Sequence, residues 1–324
     1  DPAIYLHLLY HDCIPCILEK RRENIIMTRE EKIAIADMVR NRDRFGPVSP
    51  EELAALPGKE KELWVHTKNG KTVHVFEERP DNLPEQAALL LNFHGGGFLK
   101  GRTDRDRRYC CWVMEQLNCM VWDVDYSLAP EAPFPFAAEE AYEIVSYVFE
   151  HAAELGIDKE KIILAGHSAG GNLVASVLIK NAETKELNPC CALMEYFPTD
   201  NTADPVERLS EELKKDPFWV KRAQTEKMYT DFYVGDADAS DPLCSPVFAK
   251  DETLAVFPDC LIISAGEDSL RDETEAFGMR LVKAGVCVTM HRIIEAMHGF
   301  TTNRTPGWER ALDCQYNFFQ EHLR

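Results

Sequence analysis

The segment 166–170, with the sequence Gly-His-Ser-Ala-Gly, constrains this chain more than any other. It lies between an apolar run at 162–165 and a helix-like apolar run at 173–178. A strand that turns sharply into a helix is the setting of a G-x-S-x-G nucleophile elbow, in which the strained turn exposes the serine hydroxyl. Glycine is required two residues before and two residues after the serine, because a Cβ at either place would collide with the neighbouring strand or helix. The segment therefore predicts that Ser168 is a nucleophile at the carboxyl end of a strand.

Apolar runs and helix-like segments alternate through most of the chain. The runs are continuously apolar, as expected of strands that are covered on both faces. The helix-like segments include 141–152, in which apolar residues recur at spacings of three and four. Lys-Asn-Gly at 68–70 separates two earlier strand-like runs and is typical of a hairpin turn. The pattern predicts an α/β fold with a mostly parallel sheet. The strand candidates are 88–93, 119–124, 162–165, 192–194, 260–264 and 286–290.

Two segments interrupt this alternation. Residues 1–55 have a helical pattern, in which Thr28 and Glu31 are spaced as in a capping box. Residues from about 200 to 233 are polar and helix-like, and they contain no strand pattern. We expect a catalytic domain at 56–324 and a helical cap over the sheet, formed by 1–55 and by the insertion at about 200–233.

The composition limits the classes of partner. A net charge of −19, from 55 acidic and 36 basic residues, argues against nucleic acid and anionic membranes. No apolar run is long enough for a membrane span. The 11 cysteines include two adjacent pairs, which is unlike a disulfide framework and favours a cytoplasmic setting. Cys13 and Cys16 form a CxxC that suits redox or metal chemistry, but no second CxxC accompanies it, and buried thiols are the simpler interpretation. No metal or cofactor is expected.

A serine nucleophile needs a base, and the base needs an acid that orients it. In hydrolases built around such an elbow, the chain order is serine, acid, histidine. Asp268 follows the strand candidate 260–264, and His298 follows the last strand candidate, so both belong to the carboxyl edge where such sheets bind ligands. Other interpretations exist: Asp268 could cap a helix while Glu267 serves as the acid, and His298 is one of ten histidines. The order and the shared edge favour a triad of Ser168, Asp268 and His298.

A second glycine-rich segment, His-Gly-Gly-Gly-Phe at 94–98, follows the first parallel strand candidate. Three consecutive glycines let backbone N–H groups approach a developing negative oxygen and point at it. A glycine loop can also cradle a phosphate, but the chain lacks the G-x-x-x-x-G-K-[ST] sequence of phosphate-binding loops. The segment therefore predicts an oxyanion loop that serves Ser168.

Together these motifs resemble those of the hormone-sensitive-lipase family of α/β-hydrolases, which includes many bacterial carboxylesterases. The matching segments are 94–98, 125–131, 166–172, 241–246, 268–272 and 298–300. The resemblance implies the α/β-hydrolase fold with a helical cap, and it implies Ser168 as nucleophile, Asp268 as acid and His298 as base. It also implies an oxyanion hole made by backbone amides and supported by the start of the glycine loop. The amides are those of Gly96, Gly97 and Ala169, and the supporting residues are His94 and Gly95.

Three positions depart from the family pattern. His167 precedes the serine where the family has Asp or Thr, Ser127 replaces an Arg, and Ser269 replaces a Pro after the acid. None of them is a member of the triad. His167 adds a titratable group one residue from the nucleophile, and we assign it no catalytic role.

The expected activity is the hydrolysis of small carboxylic esters by a serine carboxylesterase, through an acyl-enzyme intermediate. Short acyl chains and a possible homodimer follow from the resemblance alone. Two alternatives stay open. One is a non-catalytic protein that binds a small molecule, as the gibberellin receptors do on this fold, although they lack the histidine found here as His298. The other is an amidase or peptidase. The cap segments contain no motif that identifies the ester.

Overall fold

The computed structural model describes residues 27–43, 45–209 and 211–324, and one sheet runs through them. Its strands are β1 (Lys59–His66), β2 (Thr72–Arg79), β3 (Ala87–Phe93), β4 (Met120–Asp125), β5 (Ile157–His167), β6 (Cys191–Glu195), β7 (Asp259–Glu267) and β8 (Val288–Met297). They lie side by side in the order β1-β2-β4-β3-β5-β6-β7-β8. The pairings of β1 with β2 and of β2 with β4 are antiparallel, and all the others are parallel. The predicted hairpin and the mostly parallel sheet are confirmed.

Helices connect and flank these strands. Those of the described residues are α1 (Arg29–Arg40), α2 (Pro50–Ala54), α3 (Asp104–Leu117), α4 (Phe136–Leu155), α5 (Ala169–Thr184), α6 (Pro205–Arg208), α7 (Pro217–Val234), α8 (Asp251–Leu254), α9 (Arg271–Lys283), α10 (Phe300–Asn303) and α11 (Trp308–His322). Short 3₁₀ turns cover Leu213–Lys215 and Pro246–Phe248. α1 begins with the predicted capping box between Thr28 and Glu31. None of the helices in this described part combines the length and apolar character that crossing a bilayer requires.

The two faces of the sheet are covered by different helices. Buried side chains of α4, α5 and α9 form one core cluster with the sheet, and those of α3 and α11 form another. Along β3, Leu89 and Leu91 belong to the first cluster and Leu90 to the second, as the alternation of side chains along a strand requires. Helices on both faces of a mostly parallel sheet make this the α/β-hydrolase fold that the resemblance implies.

The bounds of all six predicted strands differ from the prediction, and two of them differ most. The run at 286–290 predicts β8 too short, since β8 begins at Val288 and extends to Met297, and β5 begins at Ile157 rather than at residue 162. β8 is an edge strand that pairs only with β7, and most of its second half is exposed, so no continuous apolar run marks it. The CxxC at 13–16, interpreted above as buried thiols, lies outside the described residues. The part of the predicted cap before residue 27 does so as well.

Candidate active site

Ser168 lies in the sharp turn between β5 and α5, and its backbone has the rare combination of φ 54° and ψ −119°. The glycines on either side explain how the turn fits. A Cβ on Gly166 would lie 2.2 Å from the carbonyl oxygen of Gly170, and one on Gly170 would lie 1.8 Å from that of Phe93. The Ser168 amide donates to the Glu195 carbonyl at 2.9 Å, which fixes the turn to β6. The strained turn and the steric need for glycine, both predicted from the sequence, are present.

The close approach at this turn leads to a stability prediction. We expect Gly170→Ala to lower the free energy of unfolding by about 3 kcal/mol or more, since the atoms that the new Cβ meets are backbone and cannot rotate away. Urea unfolding followed by circular dichroism measures the change. Gly101→Ala is the control, because its Cβ would make ordinary contacts at 3.5 Å and 3.7 Å. A Gly170→Ala variant as stable as the control would contradict the geometry of the turn.

The three residues of the predicted triad come together at the carboxyl edge of the sheet. Oγ of Ser168 lies 2.8 Å from Nε2 of His298, and Nδ1 of His298 lies 2.7 Å from Oδ2 of Asp268. A carboxylate can only accept at this distance, so Nδ1 donates to Asp268 and Nε2 is left to accept from the serine hydroxyl. The hydrogen bonds thus run from Asp268 through His298 to Ser168, in the order that a triad of acid, base and nucleophile requires.

The environment of Asp268 keeps it ionised. Its side chain is fully buried, and burial alone would raise the pKa of its carboxyl. The imidazole of His298, the Arg222 guanidinium at 3.3 Å and the Leu270 amide at 3.3 Å outweigh that effect and lower the pKa of Asp268 below its usual value. The rival carboxylate, Glu267, is exposed at the end of β7. The acid that meets the histidine is therefore Asp268.

The glycine loop lies directly against the nucleophile. A Cβ on Gly95 would lie 3.5 Å from Cβ of Ser168. Gly96 and Gly97 have φ values of 131° and 60°, which side chains rarely tolerate. At Gly96 a Cβ would also meet the carbonyl oxygen of Lys100 at 2.4 Å. This turn needs glycine for its conformation and for its contacts, so its backbone amides are not shielded by side chains of the turn itself.

His94 supports the loop from below. It is fully buried and stacks on Tyr126 with ring centroids 4.3 Å apart. Its Nδ1 lies 2.7 Å from the Gly95 carbonyl, and the Tyr126 hydroxyl donates to the His94 carbonyl at 2.8 Å. Burial acts to lower the pKa of His94, but the carboxylates of Asp125, Asp106 and Asp123 and the Gly95 carbonyl together outweigh burial and raise that pKa. The ring is held within the structure and has no access to a substrate.

His167, the residue before the nucleophile, is buried against Tyr109 and Glu195. Its buried ring meets Tyr109 edge-on at 4.5 Å, and its Nε2 lies 3.1 Å from Oε2 of Glu195. Glu195 also accepts from Thr301 and from Gln315. His167 therefore belongs to a buried polar network beneath the elbow, which agrees with assigning it no catalytic role.

Helix α7, from the predicted insertion, reaches both ends of the site. Arg222 contacts Asp268 at 3.3 Å, and one turn later Glu226 accepts from the Ser269 hydroxyl at 2.6 Å. Tyr229 packs against the glycine loop so closely that a Cβ on Gly97 would lie 2.6 Å from its ring. Sequence reasoning missed these contacts, because each joins residues far apart in the chain and α7 has no single apolar face that would reveal its orientation.

A cleft of about 300 Å³ lies beside the acid turn. Its walls come from the β6–α6 loop, from α7 and from the turn between β7 and α9, and they include Leu209, Trp219 and Asp268. No group of three or more His, Cys, Asp or Glu side chains among the described residues is arranged to hold a metal ion.

Comparisons with known proteins show which proteins this chain is similar to. The family model described as alpha/beta hydrolase fold matches residues 90–302. Esterase LipI of Mycobacterium tuberculosis is 32% identical over 223 residues, which cover 68% of each chain. Ethyl acetate hydrolase of Pseudomonas putida is 29% identical over 259 residues, which cover 77% of this chain and 80% of that one. The solved structure of a hyperthermophilic esterase from Pyrobaculum calidifontis matches with a TM-score of 0.75 at 25% identity, covering 94% of this chain and 97% of that chain.

The fold, the arrangement at the sheet edge and these relatives define an α/β-hydrolase of the esterase class. A 134-residue stretch is 38% identical to the hormone-sensitive lipase of Bos taurus, of which it spans 18%. The chain belongs to the hormone-sensitive-lipase family of α/β-hydrolases. The family and the enzyme class predicted from the sequence, a carboxylic ester hydrolase, are confirmed.

Proposed function

We propose that this enzyme cleaves small carboxylic esters with Ser168 as nucleophile, His298 as general base and Asp268 as the orienting acid. The observation that carries the proposal is the unbroken chain of hydrogen bonds from Asp268 through His298 to Ser168, with distances of 2.7 Å and 2.8 Å. It ends at a serine in a strained elbow, beside a glycine loop. This is the constellation that acyl transfer requires.

The reaction proceeds in two halves. Oγ of Ser168 adds to the ester carbonyl while its proton passes to Nε2 of His298, and the carbonyl electron pair moves onto oxygen. When the tetrahedral intermediate collapses, the bond to the alcohol oxygen breaks and the imidazolium returns its proton to the leaving alkoxide. Water, deprotonated by the same Nε2, then adds to the acyl carbon. When this second intermediate collapses, the bond to Oγ breaks, the acid is released and the imidazolium returns the proton to Ser168. Asp268 stays ionised throughout, in keeping with its lowered pKa, and stabilises the imidazolium.

We assign the stabilisation of the oxyanion to the amides of Gly96, Gly97 and Ala169. Two of these residues form the positive-φ turn beside the nucleophile, and Ala169 is the first residue of α5. The N-terminal end of a helix favours negative charge, because its N–H groups and its dipole point toward it. His94 and Gly95 hold the turn in place, through the contact of the buried imidazole with the Gly95 carbonyl and through the Tyr126 hydroxyl, which donates to the His94 carbonyl.

We further propose that a cap, formed by 1–55 and by about 200–233, covers a catalytic domain of 56–324 and limits the substrate to short acyl chains. Contacts of α7 with the acid turn and with the glycine loop support the cap, since they close the site from above. A relative named ethyl acetate hydrolase supports the acyl preference. A panel of p-nitrophenyl esters tests it, and kcat/KM values that rise steadily toward long acyl chains would contradict it.

Covalent labelling tests the proposed mechanism as a whole. A fluorophosphonate should phosphonylate the folded enzyme once, and peptide mass spectrometry should place the adduct on Ser168. The physical reason is that only a serine activated by a base attacks such a phosphorus centre rapidly. Heat-denatured enzyme is the control and should stay unlabelled. A folded protein that does not react, or that carries the adduct elsewhere, would refute the assignment of the nucleophile.

The contact between Arg222 and Asp268 leads to a prediction for the pH–rate profile. In Arg222→Gln a positive charge 3.3 Å from the carboxylate is lost, and this charge helps to lower the pKa of Asp268. The unopposed carboxylate then favours the protonated imidazole, which is inactive as a base. The acid limb of kcat/KM against pH should move to higher pH by roughly half a unit.

Lys227→Gln is the matched control for this measurement. Lys227 lies on the same helix, and its ion pair is with Asp231 at 2.8 Å. The control removes the same charge from α7 and should leave the acid limb where it is. A limb that moves equally in both variants, or toward lower pH in Arg222→Gln, would show that the contact with the acid does not set the profile.

We propose that the enzyme dimerises through β8 and acts in the cytoplasm. β8 is the last strand of the sheet, and it exposes Ile294 by 70%. Met297 on the same strand and Met279 on α9 are exposed large apolar residues as well. Light scattering on the wild type and on Ile294→Asp tests the dimer.

A cytoplasmic setting is supported by the nine described cysteines, all of which are free thiols, and localisation of the tagged protein tests it.

A further inference from the structure

We propose that Arg40 is a positioning residue for the oxyanion loop, in the reaction proposed above and resting on it. Arg40 is the last residue of α1, so it comes from the segment predicted to form part of the cap. Its side chain is largely buried, and it projects onto the loop that follows the three glycines. No local signal in the sequence distinguishes it from the other arginines of the chain.

The guanidinium of Arg40 makes contacts on two sides. Its Nε donates to the Leu99 carbonyl at 2.8 Å, and its Nη2 donates to the Ala129 carbonyl at 3.0 Å. The carboxylate of Glu131 accepts from Nη1 and Nη2, both at 2.7 Å. This fork holds the plane of the guanidinium in one orientation, which a lysine could not reproduce.

The two residues whose carbonyls accept from Arg40, Leu99 and Ala129, are each hydrogen-bonded to the loop that carries the proposed oxyanion donors. Leu99 follows Gly97 by two residues, and its amide donates back to the Gly96 carbonyl at 3.2 Å. On the other side, the amide of Ala129 donates to the Phe98 carbonyl at 2.9 Å, and Phe98 has a φ of 62°. Arg40 therefore links Leu99, within the loop, to Ala129, which is bonded to the strained residue Phe98. The conformation of this turn determines where the amides of the glycines point.

Preorganisation makes this contact matter for catalysis. An oxyanion donor stabilises the transition state only when it already points at the place where charge develops. Without Arg40, two carbonyls lose a charged donor and the turn at Phe98 can relax, which tilts the amides of Gly96 and Gly97. The transition state should lose stabilisation while the ground-state substrate, which carries no full charge on oxygen, is bound as before.

The experiment compares Arg40→Met with Arg29→Met in the full-length enzyme. Arg29 is the matched control, because it also comes from α1 and donates to the backbone carbonyl of Glu131 at 3.2 Å. In Arg40→Met, kcat for p-nitrophenyl butyrate should fall by about 10- to 100-fold with KM changed by less than about threefold. Affinity for an alkyl trifluoromethyl ketone, which adds to the serine and forms an oxyanion, should fall in parallel. Both values should stay within about twofold of wild type in Arg29→Met.

The positioning role of Arg40 can be overturned by either of two results. A kcat unchanged in Arg40→Met, or a kcat that falls while the affinity for the ketone is unchanged, would overturn the positioning role. If Arg40→Met does not fold, Arg40→Lys provides the same comparison, since it keeps the charge and loses the fork, and its kcat and ketone affinity should fall together. Failure of the proposed function looks different, because the wild type itself would then neither react with a fluorophosphonate nor bind the ketone.

Discussion

Replacing Ser168 by alanine should lower kcat for p-nitrophenyl acetate and butyrate by about 10⁵-fold or more. The change removes the only atom that forms the acyl-enzyme in the proposed mechanism. The fold should survive, since alanine meets the same backbone strain at φ 54° that serine already bears. Residual hydrolysis above the rate in water is expected, because the glycine loop can still stabilise attack by water.

The control for this variant is Ser176→Ala. Ser176 is buried in α5, the helix that follows the nucleophile, about two turns further along the chain. Its variant should keep kcat within about twofold of wild type. Thermal unfolding of both variants shows that any loss is chemical rather than structural. A Ser168→Ala enzyme with substantial activity would mean that water, and not an enzyme nucleophile, attacks the ester.

The sequence predicts which residues meet at the site because each of them is tied to a local pattern. Ser168, Asp268 and His298 each follow a strand directly or within one residue, and parallel strands end at one edge of the sheet. The elbow needs only its neighbouring glycines, which a short motif displays. Local signals and the topology of the fold are therefore sufficient to place all three residues in one site.

The same reasoning fails where a contact depends on tertiary packing alone. Arg222 and Tyr229 reach the acid and the glycine loop from a helix without a single apolar face, so its orientation cannot be read from its spacing. Arg40 contacts the loop at Leu99, which lies 59 positions later in the chain. β8 was predicted too short, because an edge strand exposes one side and loses the continuous apolar pattern. What the sequence hides is thus how α1 and α7 are anchored against the acid and the glycine loop.

A change of the proposed acid, Asp268, should also lower kcat strongly. We expect Asp268→Asn to lower kcat by about 10⁴-fold with a small change in KM. The amide would keep the size of the carboxylate but present a donor or a neutral oxygen to Nδ1 of His298, 2.7 Å away. If Nδ1 must accept, the proton moves to Nε2, which then can no longer take the proton of Ser168. The lost negative charge also leaves the imidazolium without its partner.

Glu267→Gln tests the rival acid with the same chemical change one residue away. Glu267 is exposed at the end of β7, so its variant should keep kcat within about twofold of wild type. A large loss in Glu267→Gln together with a small one in Asp268→Asn would transfer the role to the neighbour and contradict the geometry. The comparison is sharp because the two carboxylates are adjacent in the chain, while Asp268 is buried and Glu267 is exposed. Asp268 is fully buried against His298, at the place where a charge on the carboxylate stabilises the imidazolium most strongly.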